Sequence, residues 1–217
     1  MEPIKKISDL TKSDQPILKN LRKGTVLLDP EAEIKHVWFL RKGYIRQYLV
    51  SANGDDVTVH IFRPGAVLPL MLYAADLPNR FYFQAATNIE VQEFPAKKIL
   101  ETVQDNPKLL FELTAKFALA INALTLRIEM LSTKTSRTKT LLFLEYLRNH
   151  FATEKNGKSK IALPLTHAEI AAWIGTKRET VSREFSILAK KGVISVKKGF
   201  ITINNKEGLL EEGKRLP

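Results

Sequence analysis

The run from Leu165 to Lys191 constrains the chain more than any other, because two helix-start signals lie close together with a glycine between them. Thr166 with Glu169, and Thr176 with Glu179, both have the S/T-x-x-E spacing. In it a cap hydroxyl and a carboxylate satisfy each other's orphan backbone amides. Two such boxes predict two short helices. Gly175 between them permits the left-handed backbone of a tight reversal, and Ala171 is small enough for the second helix to cross the first closely. Ile170, Ile174, Val181, Phe185 and Leu188 recur at helical spacing and give each helix a face to bury. The unit reads as a helix-turn-helix, with Lys177, Arg178, Glu179, Ser182 and Arg183 left outside on its second helix.

That outward set suits the major groove of duplex DNA. Arg offers a fork to the two acceptors of guanine, Glu accepts from the cytosine amino group, and Lys and Ser reach phosphates or base edges. A capped hairpin with a merely solvated charged face has the same pattern. The continuation favours the first reading, because Gly192-Val-Ile-Ser-Val-Lys-Lys-Gly-Phe-Ile-Thr-Ile alternates like two strands around a basic tip at Lys197 and Lys198. Thr166, Thr176 and Thr180 at the helix starts complete the candidate DNA-facing residues.

The run Ile170-Ala-Ala-Trp-Ile-Gly-Thr-Lys-Arg-Glu-Thr-Val-Ser-Arg, followed by Lys-Lys-Gly-Val-Ile, closely resembles the DNA-binding domain of the Crp/Fnr regulators. The docking geometry described for one member of that family is a general example, and the expectation here is borrowed from it. In the family, Arg-Glu-x-x-x-Arg or Glu-x-x-Ser-Arg forms the base-reading set. This chain overlays both at Arg178, Glu179, Ser182 and Arg183. The resemblance also implies RNA polymerase as a partner and a TGA-like core in each half-site.

Charge agrees with this placement. Residues 132–217 hold 17 Lys+Arg against 8 Asp+Glu, a net of +9, whereas residues 1–131 hold 17 against 15, a net of +2. Affinity for nucleic acid is therefore expected in the C-terminal part. A length of 217 residues with 44% hydrophobic content suits two modest domains. Cys is absent, which excludes disulfides and a Cys-ligated iron–sulfur cluster, and with it an Fnr-type oxygen sensor. Met1 to Leu21 lacks the apolar core of a signal peptide, and no run reads as long enough to span a membrane. The expectation is a cytoplasmic protein.

Met1 to Asn20 reads as a weak helical lead-in. After it Thr25–Leu28, Val37–Leu40, Tyr44–Val50, Val57–Phe62, Phe81–Ala86 and Glu90–Phe94 are β-branched or aromatic runs. They are punctuated by Asp29-Pro30, Arg41-Lys-Gly43, Asn53-Gly54-Asp55 and Pro64-Gly65. Such spacing predicts a small antiparallel barrel or sandwich. The segments Lys23-Gly-Thr-Val-Leu-Leu, Val37-Trp-Phe-Leu-Arg-Lys-Gly-Tyr-Ile-Arg and Arg63-Pro-Gly resemble the cyclic-nucleotide-binding β-roll of the same family.

By that resemblance a nucleotide-binding roll carries Gly-Glu for the ribose hydroxyl and Arg-Ser for the cyclic phosphate. The matching places here are Pro69-Leu70 and Arg80-Phe81, so a ribose acceptor and a phosphate donor are missing. Cyclic AMP is therefore not the expected ligand. Arg80 is left to hold an acidic effector or to be a surface charge beside Asp76. Leu68, Leu70, Met71, Phe81 and Phe83, with Val67, Leu72 and Tyr73, either line an apolar effector cavity or fill it as core. His60, on a strand, and His36 are candidates for haem, but neither has an evident second ligand. Metal catalysis wants several converging His and carboxylates, and no nucleophile motif or phosphate loop is visible, so no enzyme is expected.

After Asn106-Pro107 a helix is predicted to about Thr133. Leu110, Thr114, Phe117, Ile121, Leu124, Ile128 and Leu131 follow steps of four and three, the seam of a coiled coil, while Leu109, Leu113 and Ala120 supply a second face. A homodimer on this seam would set two recognition helices on a palindrome. Ser132 to Ser136 reads as a hinge and Arg137 to His150 as a helix packing on Leu141, Leu142, Leu144 and Leu147. Phe151 to Ser159 reads as a mobile loop, Asn204 to Leu210 as a short helix, and Glu211 to Pro217 as a frayed tail.

The expected fold class is α+β. It comprises a jelly-roll-like double-stranded β-helix over 1–106, a dimerisation helix over 107–133 and a winged helix-turn-helix over 134–217. The expected function is a dimeric regulator of transcription governed by a small effector other than cyclic AMP. The alternatives are a ligand-independent regulator with a filled cavity, a haem or small-ligand sensor, a signalling module whose basic domain serves protein or RNA, and, from a further class, a metal or haem enzyme.

Overall fold

The computed structural model describes residues 16–52 and 54–214. The expectations for Met1 to Gln15, Asn53 and the last residues of the tail lie outside the described residues. The chain divides into two compact units between Leu119 and Ala120, inside the long helix.

Among the described residues the first unit holds eight strands: β1 (Ile17–Leu21), β2 (Val26–Leu28), β3 (His36–Lys42), β4 (Ile45–Val50), β5 (Asp56–Phe62), β6 (Val67–Leu68), β7 (Tyr82–Ala85) and β8 (Ile89–Pro95). A one-turn helix α1 (Leu70–Ala74) interrupts them, and α2 (Ala96–Gln104) and α3 (Pro107–Ser132) follow. The strands form two antiparallel four-stranded sheets of order β1-β8-β3-β6 and β2-β7-β4-β5, the antiparallel roll expected from the turn spacing.

Two apolar clusters hold this unit. In one, Leu28, Trp38, Leu40, Ile45, Leu68, Phe83 and Val91 are buried within the roll. In the other, Val37, Phe39, Leu70, Phe94, Ile99, Val103, Leu109 and Leu113 pack α1, α2 and the start of α3 against β3 and β8. Neighbours such as Trp38 and Phe39 thus feed different clusters, because successive side chains of a strand point to opposite faces. Glu93 is buried and accepts from Trp38 Nε1 at 2.7 Å and Lys19 Nζ at 2.7 Å. Lys116 on α3, partly buried, donates to the Gly65 carbonyl at 2.5 Å and so ties the β5–β6 loop to the helix.

The expected helical lead-in is corrected at its end: Ile17–Leu21 is a strand in register with Ile89–Glu93 of β8. Its Ile-Leu-Lys-Asn-Leu sequence carries no clear alternation. Pairing along the length of β8 decides its state, a tertiary effect that local pattern does not encode.

The second unit contains the rest of α3, then α4 (Ser136–Phe151), β9 (Ala152–Lys155), β10 (Lys158–Ile161), α5 (His167–Ile174), α6 (Arg178–Lys190), β11 (Ile194–Lys197), β12 (Phe200–Ile203) and α7 (Lys206–Lys214). The strands form one sheet of order β11-β12-β10-β9. Phe151–Ser159 is therefore not a loop but the hairpin β9–β10. The signal that finds it is Asn156-Gly157, both with positive φ (51° and 72°), the two-residue turn whose twist matches paired strands. The frayed tail is corrected too, because α7 runs to Lys214 and Glu212 is buried.

The helix α3 also corrects the membrane reading. By length and composition Pro107–Ser132 is apolar enough to cross a membrane. The seam residues Leu110, Phe117, Ile121, Leu124, Ile128 and Leu131 supply part of that hydropathy, and Leu109, Leu113, Leu119 and Leu126 outside the seam supply much of the rest.

Candidate nucleic-acid interface

The turn between α5 and α6 is built as the sequence implies at one end and differently at the other. Thr166 caps α5: its Oγ1 accepts from the Glu169 amide at 3.2 Å, and Glu169 Oε2 accepts from the Thr166 amide at 2.7 Å. Gly175 ends α5 in the left-handed conformation (φ 62°, ψ 55°). A Cβ there would meet Leu131 Cδ2 at 3.1 Å, a tight contact that a small shift of that side chain would relieve, so it is the left-handed backbone that favours glycine. The second capping box does not form. Lys177, not Thr176, is the N-cap of α6, with no side-chain cap bond, and Thr176 Oγ1 instead pairs with Ser136 Oγ at 3.1 Å. Thr176's own amide is engaged, donating to the Ala171 carbonyl at 3.0 Å.

Burial separates the two faces of α6. Val181, Phe185 and Leu188 are buried on one side, with Ile170, Ala171, Trp173 and Ile174 of α5 buried beside them. On the other, Lys177, Arg178, Glu179, Ser182 and Arg183 are exposed, with Thr180 half-buried. The helix thus presents a continuous polar stripe whose backing is a closed apolar core. Thr166 is exposed and Thr176 half-buried.

The wing closes in two residues. Lys198 and Gly199 both have positive φ, 52° and 79°, between Lys197↔Phe200 at the end of the β11–β12 ladder. Lys197 and Lys198 are exposed at that tip. The Gly199 carbonyl accepts from the Leu165 amide at 2.9 Å, which fixes the wing against the chain entering α5.

Behind α5, Trp173 packs among Phe143 and Tyr146 of α4, and Arg127 of α3 lies over its ring at 5.0 Å from the centroid. Met130 is buried in the same unit. The last turns of α3 are thus built into the second unit, and the break at 133–135 is capped by Thr135, whose side chain accepts from the Thr138 amide. The seam residues Leu110, Phe117, Ile121, Leu124, Ile128 and Leu131 are all exposed, from 40% at Leu124 to 65% at Ile128.

The six residues expected around an effector do not converge on one site. Leu68, Leu70 and Phe83 are each 1% exposed, but Leu70 belongs to a different core cluster from Leu68 and Phe83. Met71 and Arg80 are exposed and Phe81 half-buried. Sequence reasoning missed Asn79. It is buried, donates to the Asp29 and Phe81 carbonyls at 2.6 and 2.8 Å, and accepts from the Phe81 amide at 3.1 Å. Its own carbonyl takes the Glu31 amide at 2.7 Å, so this one residue closes the segment that precedes β7.

Residues 18–106 match the model of the cyclic nucleotide-binding domain and residues 139–212 that of the Crp-like helix-turn-helix domain. The chain belongs to the Crp/Fnr family. It is similar to the global nitrogen regulator of Nostoc sp., 27% identical over 191 residues that cover 87% of this chain and 86% of that protein. Among solved structures, a CRP/FNR-family transcriptional regulator from Thermus thermophilus is 25% identical, with a TM-score of 0.70 and coverage of 91% and 98%. FixK2 from Bradyrhizobium japonicum has the same fold at 20% identity, with a TM-score of 0.78 and coverage of 94% and 100%. Crp/Fnr-type regulators bind DNA through the helix-turn-helix, and this chain is a DNA-binding transcription regulator of that type.

Proposed function

We propose that two copies of this Crp/Fnr regulator pair along the α3 seam and read a palindromic operator with two α6 helices. The observation that carries this reading is the exposed stripe Lys177, Arg178, Glu179, Ser182 and Arg183 on a helix whose opposite face is sealed by core. Arg178 and Arg183 reach guanines, Glu179 accepts from a cytosine, and Lys197 and Lys198 on the wing neutralise phosphates, with Thr166, Thr176 and Thr180 along the backbone. Apolar residues exposed at alternating steps along α3 support the dimer, because a row of them in water is costly until a partner covers it.

Leu68, Leu70 and Phe83 act as core. Their burial favours a regulator whose nucleotide position is filled, and Leu70 offers no acceptor to a ribose. If an effector exists it is not cyclic AMP. Control then comes from a small molecule that shifts the balance between dimer arrangements, typically by about 1–3 kcal/mol. RNA polymerase is a partner by family resemblance alone, and the site of action is the cytoplasm, where the DNA is.

Duplex binding at several salt concentrations tests the reading. A sequence preference should persist above a salt-sensitive background. Equal affinity for scrambled duplex or for single-stranded RNA of the same length would reduce the second unit to a generic basic surface.

A further inference from the structure

The second unit contains a row of alternating charges that begins at a residue assigned above to base reading. Arg183 Nε lies 3.7 Å from Glu184 Oε1. Glu184 is 7% exposed, and its Oε2 accepts from Arg137 Nη1 at 3.3 Å. Arg137 Nη2 donates to Glu212 Oε2, and Glu212 Oε1 accepts from Lys191 Nζ at 2.7 Å. The row joins the first turn of α4, the middle and end of α6, and α7.

Stability is a poor explanation for such a row. Desolvation offsets most of the attraction within a buried ion pair, and apolar residues of similar size often serve as well. Affinity is a poor explanation too, because a carboxylate on the helix that faces phosphates is repulsive. What a row of this kind supplies is direction. Arg137 has a planar fork that serves Glu184 and Glu212 at once, so it locks the roll of α6 against α4 and α7. Glu184, held from behind, offers its other oxygen to the neighbouring Arg183, which is 69% exposed along its side chain and otherwise free to sample rotamers.

We propose that Glu184, fixed by Arg137, is a positioning residue that orients Arg183 before DNA arrives, so that base discrimination depends on two side chains set back from the reading face. Pre-ordering reduces the conformational freedom Arg183 loses on binding. The proposal rests on the reading of Arg183 as a base contact.

The test uses full-length protein and the duplex recovered by selection from a random library, with a scrambled duplex beside it. Glu184→Gln keeps the size and an acceptor but removes the charge. It should lower the cognate-to-scrambled ratio about fivefold, while affinity for the scrambled duplex is unchanged or higher. In an Arg183→Ala background the same change should cost no further discrimination. Arg137→Lys, which keeps the charge and loses the fork, should repeat the effect more weakly; should Glu184→Gln not fold, Arg137→Lys with and without Arg183→Ala supplies the same comparison. An unchanged ratio in these variants, or a loss that adds fully to that of Arg183→Ala, would make the row structural only and overturn the proposal. If instead Arg183→Ala alone leaves the ratio untouched, the base-reading assignment fails, and the proposal falls with it for that separate reason.

Discussion

At the scale of single residues, two basic side chains should behave differently although both are exposed Lys or Arg. Arg183→Ala should lose about 1–3 kcal/mol per half-site on the cognate palindrome and relax preference at one base pair, because it removes a bidentate contact. Lys198→Ala on the wing should weaken all sequences alike and flatten the salt dependence by roughly one unit of slope. Quantitative binding to cognate and scrambled duplexes distinguishes them, and identical behaviour would remove α6 as the reading helix. Away from DNA, Glu93 marks the acid limit of the roll. Burial pushes its carboxyl up, but the Lys19 ammonium and the Trp38 indole N–H that donate to it, with the Lys19 and His36 charges, outweigh that and hold it below the usual carboxylate range. A depressed carboxylate contributes stability that is present above its unfolded pKa and lost as pH falls through the folded value. Thermal melts from about pH 7 to about pH 3 should therefore show Glu93→Gln with a flatter acid limb than the native chain. Parallel limbs would mean that Glu93 is not a linked group.

At the scale of elements, the two helix starts that look alike in sequence should respond unequally. Thr166→Ala removes a closed capping box and should cost about 1 kcal/mol in denaturant unfolding, whereas Thr176→Ala removes a hydroxyl pair to Ser136 and should cost less. Equal costs would contradict the cap assignment. Spacing alone could not separate them, because what diverts Thr176 is the position of Ser136, forty residues earlier in the chain. The same limit explains other differences between sequence and structure. Leu165–Lys191 was legible as two helices because the Thr166 cap, the Gly175 geometry and the helical periodicity agree there, although the start of the second helix lies one residue later than its spacing implied. The β1 strand was not, since its pairing with β8 is tertiary, and neither was Asn79, whose local bonds to Phe81 gain their role only once Asp29 is brought to it from fifty residues away. The hairpin at Asn156-Gly157 had a local signal that its polar flanks, Thr-Glu-Lys and Lys-Ser-Lys, obscured. The effector residues were legible one by one as apolar, but not their division between two core clusters. For α3, Leu124→Asp should weaken self-association, because it places a carboxylate opposite its symmetry mate. Sedimentation at micromolar concentration should show a larger monomer fraction, and an unchanged dimer would take the helix out of the interface.

At the scale of the whole molecule, the proposed function joins a roll whose core holds Leu68, Leu70 and Phe83, a helix with an exposed apolar seam and a basic C-terminal unit into a dimeric regulator. Cyclic AMP at millimolar concentration should neither raise the melting temperature nor tighten DNA binding, since Leu70 cannot accept from a ribose and Phe81 cannot donate to a phosphate. A saturable shift of either kind would overturn the assignment of those positions. The most direct test of the central claim is selection of bound duplexes from a random library by the purified full-length protein. The account predicts enrichment of an inverted repeat whose two half-sites lie about one helical turn apart, roughly 10–10.5 base pairs centre to centre. Recovery of single half-sites, of direct repeats or of no shared sequence would contradict it.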